Sequence, residues 1–160
     1  MNDEALRQHL LNLLDGRGAH MTFDQAVVEF PPEAMNRQPP NVPYTPWHLI
    51  EHLRIAQWDI LQFVRDPEHD SPAWPDGYWP ERSATTDTAG WDASLTAFRS
   101  DLEAMKEIVR DRDVELTAEL PHAPGYTYLR EVLLVADHNA YHVGEFAILR
   151  QVMGTWPDQR

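Results

Sequence analysis

Trp91, Leu95, Phe98, Leu102, Met105 and Val109 follow one another at alternating steps of four and three residues. That spacing keeps an apolar stripe on one side of a helix, and the stripe has to be covered by other helices. It predicts a helix over residues 90–111 and a bundle around it. Three further segments have the same character. Residues 2–15 place Leu6, Leu10, Leu13 and Leu14 on one face and stop at Gly16 and Gly18. Residues 46–65 follow Thr45, a suitable N-cap, and open on Pro46, which suits the first helical position. Residues 127–153 are closed by Gly154 and then Pro157. A short helix is expected over residues 22–29, and residues 114–120 alternate weakly, enough for a short extended piece. No strand pattern is convincing. The expected architecture is all-α: one domain over residues 1–160, a four-helix bundle with long loops after its first and second helices.

A chain of 160 residues buries a sizeable core without covalent staples. There is no cysteine, which removes disulfides, thiolate metal ligands and cysteine nucleophiles. Thirteen Lys and Arg against 26 Asp and Glu give a formal charge of −13. Nucleic acid and anionic membrane recruit clustered Lys and Arg, so neither is an expected partner. No stretch approaches the roughly 18–20 apolar residues that span a bilayer. The start of the chain lacks the basic segment and apolar run of a signal peptide. A cytoplasmic location is expected.

The two long connections, residues 16–44 and 66–89, are rich in Pro and aromatic residues. Loops of this length inside a small domain are usually functional or disordered, and the aromatic residues here argue against disorder. Trp74, Tyr78 and Trp79 are large groups that need cover. The loop that carries them serves equally well as the wall of a pocket, as a cap on the core or as a dimer contact.

Eight histidines are present, and most need no special explanation. His52 falls inside the arc formed by Leu49, Leu53, Ala56, Ile60, Phe63 and Val64, taking 100° per residue. A buried imidazole there has to find a partner. His48 lies further round, near the edge of the stripe and in the first turn. On the last helix His138, His142, Glu145 and Leu149 share one face, with Glu131 seven residues before His138. That helix has apolar residues all round, so it is expected to be largely buried. Imidazoles at i and i+4 stand one above the other and can hold one ion. With His52 from another helix they make a three-histidine site suited to zinc or nickel, and also to iron, cobalt or copper. A core histidine satisfied by a carbonyl remains the plain alternative for His52, and a polar surface strip for the pair.

Tyr44-Thr45-Pro46-Trp47-His48-Leu49-Ile50-Glu51-His52-Leu53-Arg54 and Asp137-His138-Asn139-Ala140-Tyr141-His142-Val143-Gly144-Glu145 resemble the DinB-like family, grouped with the YfiT-like metal-dependent hydrolases. The resemblance covers nearly the whole chain. It implies a four-helix bundle whose metal is held by one histidine of the second helix and an HxxxH pair on the last. By position these are His52, His138 and His142, and His48 falls outside the set. Many members have Gln where this chain has Glu145. The family's name reflects damage inducibility and implies no polymerase and no DNA binding. Some relatives resemble thiol transferases using a low-molecular-weight thiol, and others metal-dependent hydrolases or isomerases.

The expected function is metal-dependent chemistry on a small-molecule substrate, either thiol S-transfer or hydrolysis. Any thiol has to come from a cosubstrate, since the chain has none. Glu145 or Glu131 is the candidate general base or ligand-orienting carboxylate. The alternative is a non-catalytic, stress-related binding or sensing module with a structural or vestigial metal site. A homodimer is expected, with Trp156 and the loop over 74–79 as contacts.

Overall fold

The computed structural model describes residues 3–157. Its long helices are α1 (Glu4–Leu14), α3 (Pro46–Arg65), α4 (Thr88–Arg110) and α5 (Tyr128–Met153), with a short α2 (Phe23–Val27) in the first connection. Helix α3 packs against α4 and α5, and α1 packs against the same two from the other side, which closes a four-helix bundle. No helix among the described residues is long and apolar enough to cross a membrane.

The helix starts follow their caps. Thr45 Oγ1 accepts the His48 N–H, and the His48 ring returns a bond to the Thr45 N–H. Asp87 caps α4 through the Gly90 N–H, and this moves its start two residues ahead of the expected one. Thr127 caps α5, and Gly154 ends it at φ 62°, where a residue without Cβ is favoured. The expected first helix begins at Asn2, which lies outside the described residues; the described helix begins at Glu4.

Two expectations are corrected. A small antiparallel hairpin, β1 (Glu119–Leu120) and β2 (Ala123–Thr127), leads straight into α5. Pro124 and Gly125 inside β2 hide it from a propensity reading. Helix α5 is not buried all round: Leu134, Tyr141, Ile148 and Val152 form an exposed apolar stripe along its outer side.

The core divides in two. One cluster joins Leu49, Ile50, Leu53, Trp91, Leu95, Phe98, Val143, Phe146 and Leu149. The other joins Leu10, Leu14, Leu61, Val64, Met105, Val109, Val132 and Val135. Each fully buried side chain of this kind contributes about 1.5–3 kcal/mol. Where the two clusters meet, α3 and α5 present a polar layer: His52, Gln57, Asn139 and His142 are all buried. Such a layer weakens the core unless its groups are satisfied, by one another or by a ligand.

Candidate metal centre

His52 comes from the middle of α3, and His138 and His142 from successive turns of α5. Their Nε2 atoms converge. His52 Nε2 lies 3.1 Å from His142 Nε2 and 3.2 Å from His138 Nε2. The three rings form a group whose ligand atoms all lie within 4.8 Å of one another. An ion held at about 2.0–2.1 Å by imidazole nitrogens sets neighbouring nitrogens about 3.0–3.4 Å apart, which matches.

The opposite ring nitrogens decide what those short contacts are. His52 Nδ1 faces the Tyr78 carbonyl at 2.9 Å. A carbonyl only accepts, so His52 carries its proton on Nδ1. His142 Nδ1 faces Glu145 Oε2 at 2.6 Å, and Tyr44 donates its hydroxyl to the other carboxylate oxygen. Burial pushes the Glu145 carboxyl up, but the hydrogen bonds from His142 and Tyr44 outweigh it and hold it below its usual range. It is therefore an anion that accepts from His142 Nδ1–H. Both Nε2 atoms are then bare lone pairs facing each other in a dry place. A cation between them relieves that contact, and the donor set fits a divalent transition metal.

On His138 or His52 a proton is a poor substitute for that cation. Burial, with His142 and His52 beside it, lowers the His138 pKa to about 3. Burial lowers the His52 pKa as well, with the Tyr78 carbonyl pulling the other way. The group holds three nitrogen donors, and Glu145 is committed to His142 and Tyr44 rather than joining it. Three protein ligands are the pattern of reactive sites, in contrast to closed structural ones.

The loop over 66–87 covers the centre, and polar side chains of α3 hold it there. Trp79 lies flat on His52, centroids 4.0 Å apart, and stacks on Tyr44 behind. Asp59 accepts from His69 and from the Tyr78 hydroxyl, each at 2.7 Å. His48, buried rather than at a solvent edge, donates Nε2–H to the Ala84 carbonyl at 2.9 Å. Trp74, by contrast, is 76% exposed and meets only the edge of the cover, at the Tyr78 ring. A cleft of about 520 Å³ opens between the loop and α3, lined by Pro43, Tyr44, His48, Trp79 and Pro80, with Asp76, Glu81 and Arg82 at the same wall. His48→Ala is expected to leave metal stoichiometry unchanged while freeing the loop. Limited proteolysis should then cut within 66–87 faster than in the parent, and equal rates would contradict the pinning.

The structure thus brings His52, His138, His142 and Glu145 together. It does not bring Glu131 to them. Glu131 sits two helical turns before His138, about 10 Å along the axis. It is 2% exposed, bonds Arg130 and lines a different cleft with Asp59 and Ser71. Sequence reasoning missed Tyr44 as the partner of Glu145, and missed Gln57 and Asn139. Gln57 did leave a signal: it follows Leu49 and Leu53 at steps of four, a polar residue in an apolar stripe.

Comparison with curated proteins and with solved structures gives no match. A sequence model of the DinB superfamily matches residues 17–146, a span that contains all three histidines and Glu145. With the helical bundle and the histidine cluster beside it, that match places the chain in the DinB superfamily.

Proposed function

We propose that the protein is a metal-dependent enzyme acting on a small molecule, as a thiol S-transferase or a hydrolase. The observation that carries the proposal is the set of three converging Nε2 atoms with a fixed carboxylate beside them and, among the described residues, no fourth ligand in the group. A divalent ion bound there supplies Lewis acidity that favours hydroxide or thiolate at neutral pH.

The chain's own residues do the rest. His52 and His142 keep Nε2 bare because the Tyr78 carbonyl and Glu145 accept hydrogen bonds from Nδ1–H and so hold the protons there. Burial and the Glu145 hydrogen bond raise the Tyr44 pKa, so its hydroxyl stays protonated and keeps donating to Glu145. Glu145 orients His142 and places a negative charge at the edge of the centre, where it can also accept a proton from an incoming water or thiol. Trp79, Tyr44 and the prolines of the cleft provide an apolar wall for the substrate and exclude water. Glu145→Gln is expected to keep metal binding within about 10–100-fold, as for other partners of ligand histidines. Turnover should fall by a similar or larger factor, and unchanged turnover would remove Glu145 from the mechanism.

One observation favours a non-catalytic sensing or binding module instead. The cleft reaches Tyr44 and Trp79 rather than the ligand rings, and His52 and His142 are at most 9% exposed. Cobalt substitution separates the two. A thiolate-to-cobalt charge-transfer band on adding a low-molecular-weight thiol marks an open position and supports the enzyme. A spectrum unmoved by thiols and by azide marks a closed, structural site. The exposed apolar stripe of α5 keeps a homodimer within the proposal, and sedimentation equilibrium tests it.

A further inference from the structure

His52 and His142 are oriented by different kinds of partner. His142 Nδ1 is held by Glu145, a side chain of its own helix one turn on. His52 Nδ1 is held by the main-chain carbonyl of Tyr78, 26 residues away in the loop that covers the centre. A loop carbonyl holds a ring only where something holds the loop.

Asp59 meets that need. It lies seven residues after His52 on α3, close to the same face and about 10 Å along the axis. It is 7% exposed, and a buried carboxylate is costly unless its oxygens are satisfied. Both are: Oδ2 accepts from the Tyr78 hydroxyl and Oδ1 from His69 Nε2–H, each at 2.7 Å. Burial and the bond to Asp59 push the Tyr78 pKa up to about 12, so the hydroxyl stays protonated and goes on donating. Tyr78 therefore spans two turns of α3, with its hydroxyl on Asp59 and its carbonyl on His52. Trp79 follows directly and lies on the His52 ring, 3° from parallel.

The backbone that carries Tyr78 is closely seated. Residues Asp76–Tyr78 form a 3-10 turn, with the Gly77 N–H on the Ala73 carbonyl at 2.7 Å and the Tyr78 N–H on that of Pro75 at 3.2 Å. A Cβ on Gly77 would come 2.7 Å from Pro72 Cβ and 3.2 Å from the Pro72 carbonyl carbon, and neither is the end of a flexible side chain. A side chain at Gly77 has to shift the turn, and Tyr78 with it.

We propose that Asp59 is a positioning residue for the metal centre: by fixing the Tyr78 hydroxyl it sets the Tyr78 carbonyl against His52 Nδ1–H, and so keeps His52 Nε2 bare toward His138 and His142. The proposal rests on reading the histidines as a metal site. Helix α3 then supplies both a ligand and the anchor of the carbonyl that orients it, and the covering loop is the link between them.

Tyr78→Phe removes the hydroxyl but keeps the ring and the carbonyl, so it isolates the link. Long-range 1H–15N correlation on the full chain, metal-free and labelled at histidine, reads the His52 tautomer. The expected result is Nδ1–H in the parent and a shift toward Nε2–H in Tyr78→Phe, Asp59→Ala and Gly77→Ala. Zinc titrated against a competing chelator should bind each variant about 10-fold more weakly, the low end of the cost of losing a ligand's hydrogen-bond partner. Tyr78→Phe made on top of Asp59→Ala should cost no further zinc affinity, since the two residues act as one link. A packing role alone would lower Tm and leave tautomer and zinc affinity unmoved. The inference is overturned by an Nε2–H His52 in the parent. It is equally overturned by an unmoved tautomer or unchanged zinc affinity in a folded Tyr78→Phe, which decides the matter even if Asp59→Ala fails to fold. A parent that binds no zinc overturns the metal reading itself, and the tautomer in Tyr78→Phe still decides what Asp59 does to His52.

Discussion

His52→Ala, His138→Ala and His142→Ala each lose stoichiometric binding of a divalent transition metal, weakening it by more than about 100-fold, beyond the ~10–100-fold cost of losing a ligand's hydrogen-bond partner. Each removes one of three converging donors, and among the described residues no fourth donor stands in the group to replace it. The loss is read as metal content after dialysis and as thermal stability. A ligand that binds only the folded state stabilises it by RT ln(1 + [L]/Kd), about 2.7 kcal/mol at a hundredfold excess over Kd. Added zinc therefore raises the Tm of the parent and leaves the three variants unmoved. Without metal the variants need not melt earlier than the metal-free parent, because the parent holds two bare lone pairs 3.1 Å apart. Full metal content in His52→Ala would show that the α3 ligand has been misassigned.

Arg150→Ala is expected to lower stability by about 3–5 kcal/mol, through lost packing volume and carbonyls stripped of their donor. For a chain of this size that is a fall in Tm of roughly 10–15 °C. Arg150 is fully buried near the end of α5. Its guanidinium donates to the carbonyls of Ala26 and Val28, at 2.7 and 2.8 Å, and to that of Thr155 at 2.6 Å. The rings of Phe30 and Trp156 lie against it, centroids 5.3 and 4.2 Å from its central carbon. It fastens the α2 region and the turn after α5 to one helix. Arg150→Lys keeps the charge but cannot reach all three carbonyls, so it should also destabilise, by less. Thermal unfolding of the metal-free proteins gives the comparison, and a fall below about 3 °C in Arg150→Ala would contradict the clamp.

The bundle was legible because its evidence is periodic and local. The four-three spacing along α4 and the Thr45-Pro46 start of α3 need no partner to be recognised. The histidine cluster was legible for a related reason: His52 sits in an apolar stripe, and His138 and His142 repeat at four. What surrounds them was not. The Tyr78 carbonyl that fixes His52 is backbone, which leaves no mark in a sequence. Tyr44 meets Glu145 across 101 residues. Arg150 reads as an ordinary basic residue in a last helical turn, and its burial depends on carbonyls more than 120 residues away. The hairpin was hidden by Pro124 and Gly125, and the exposed side of α5 by apolar residues that looked like core.

X-ray absorption at the metal edge, on protein purified without an affinity tag, tests the central claim most directly. One ion per chain is predicted, with three imidazole nitrogens at about 2.0–2.1 Å and the remaining coordination filled by light, non-protein atoms. A chain that carries no ion, or an ion whose shell holds fewer than three imidazoles, would contradict it.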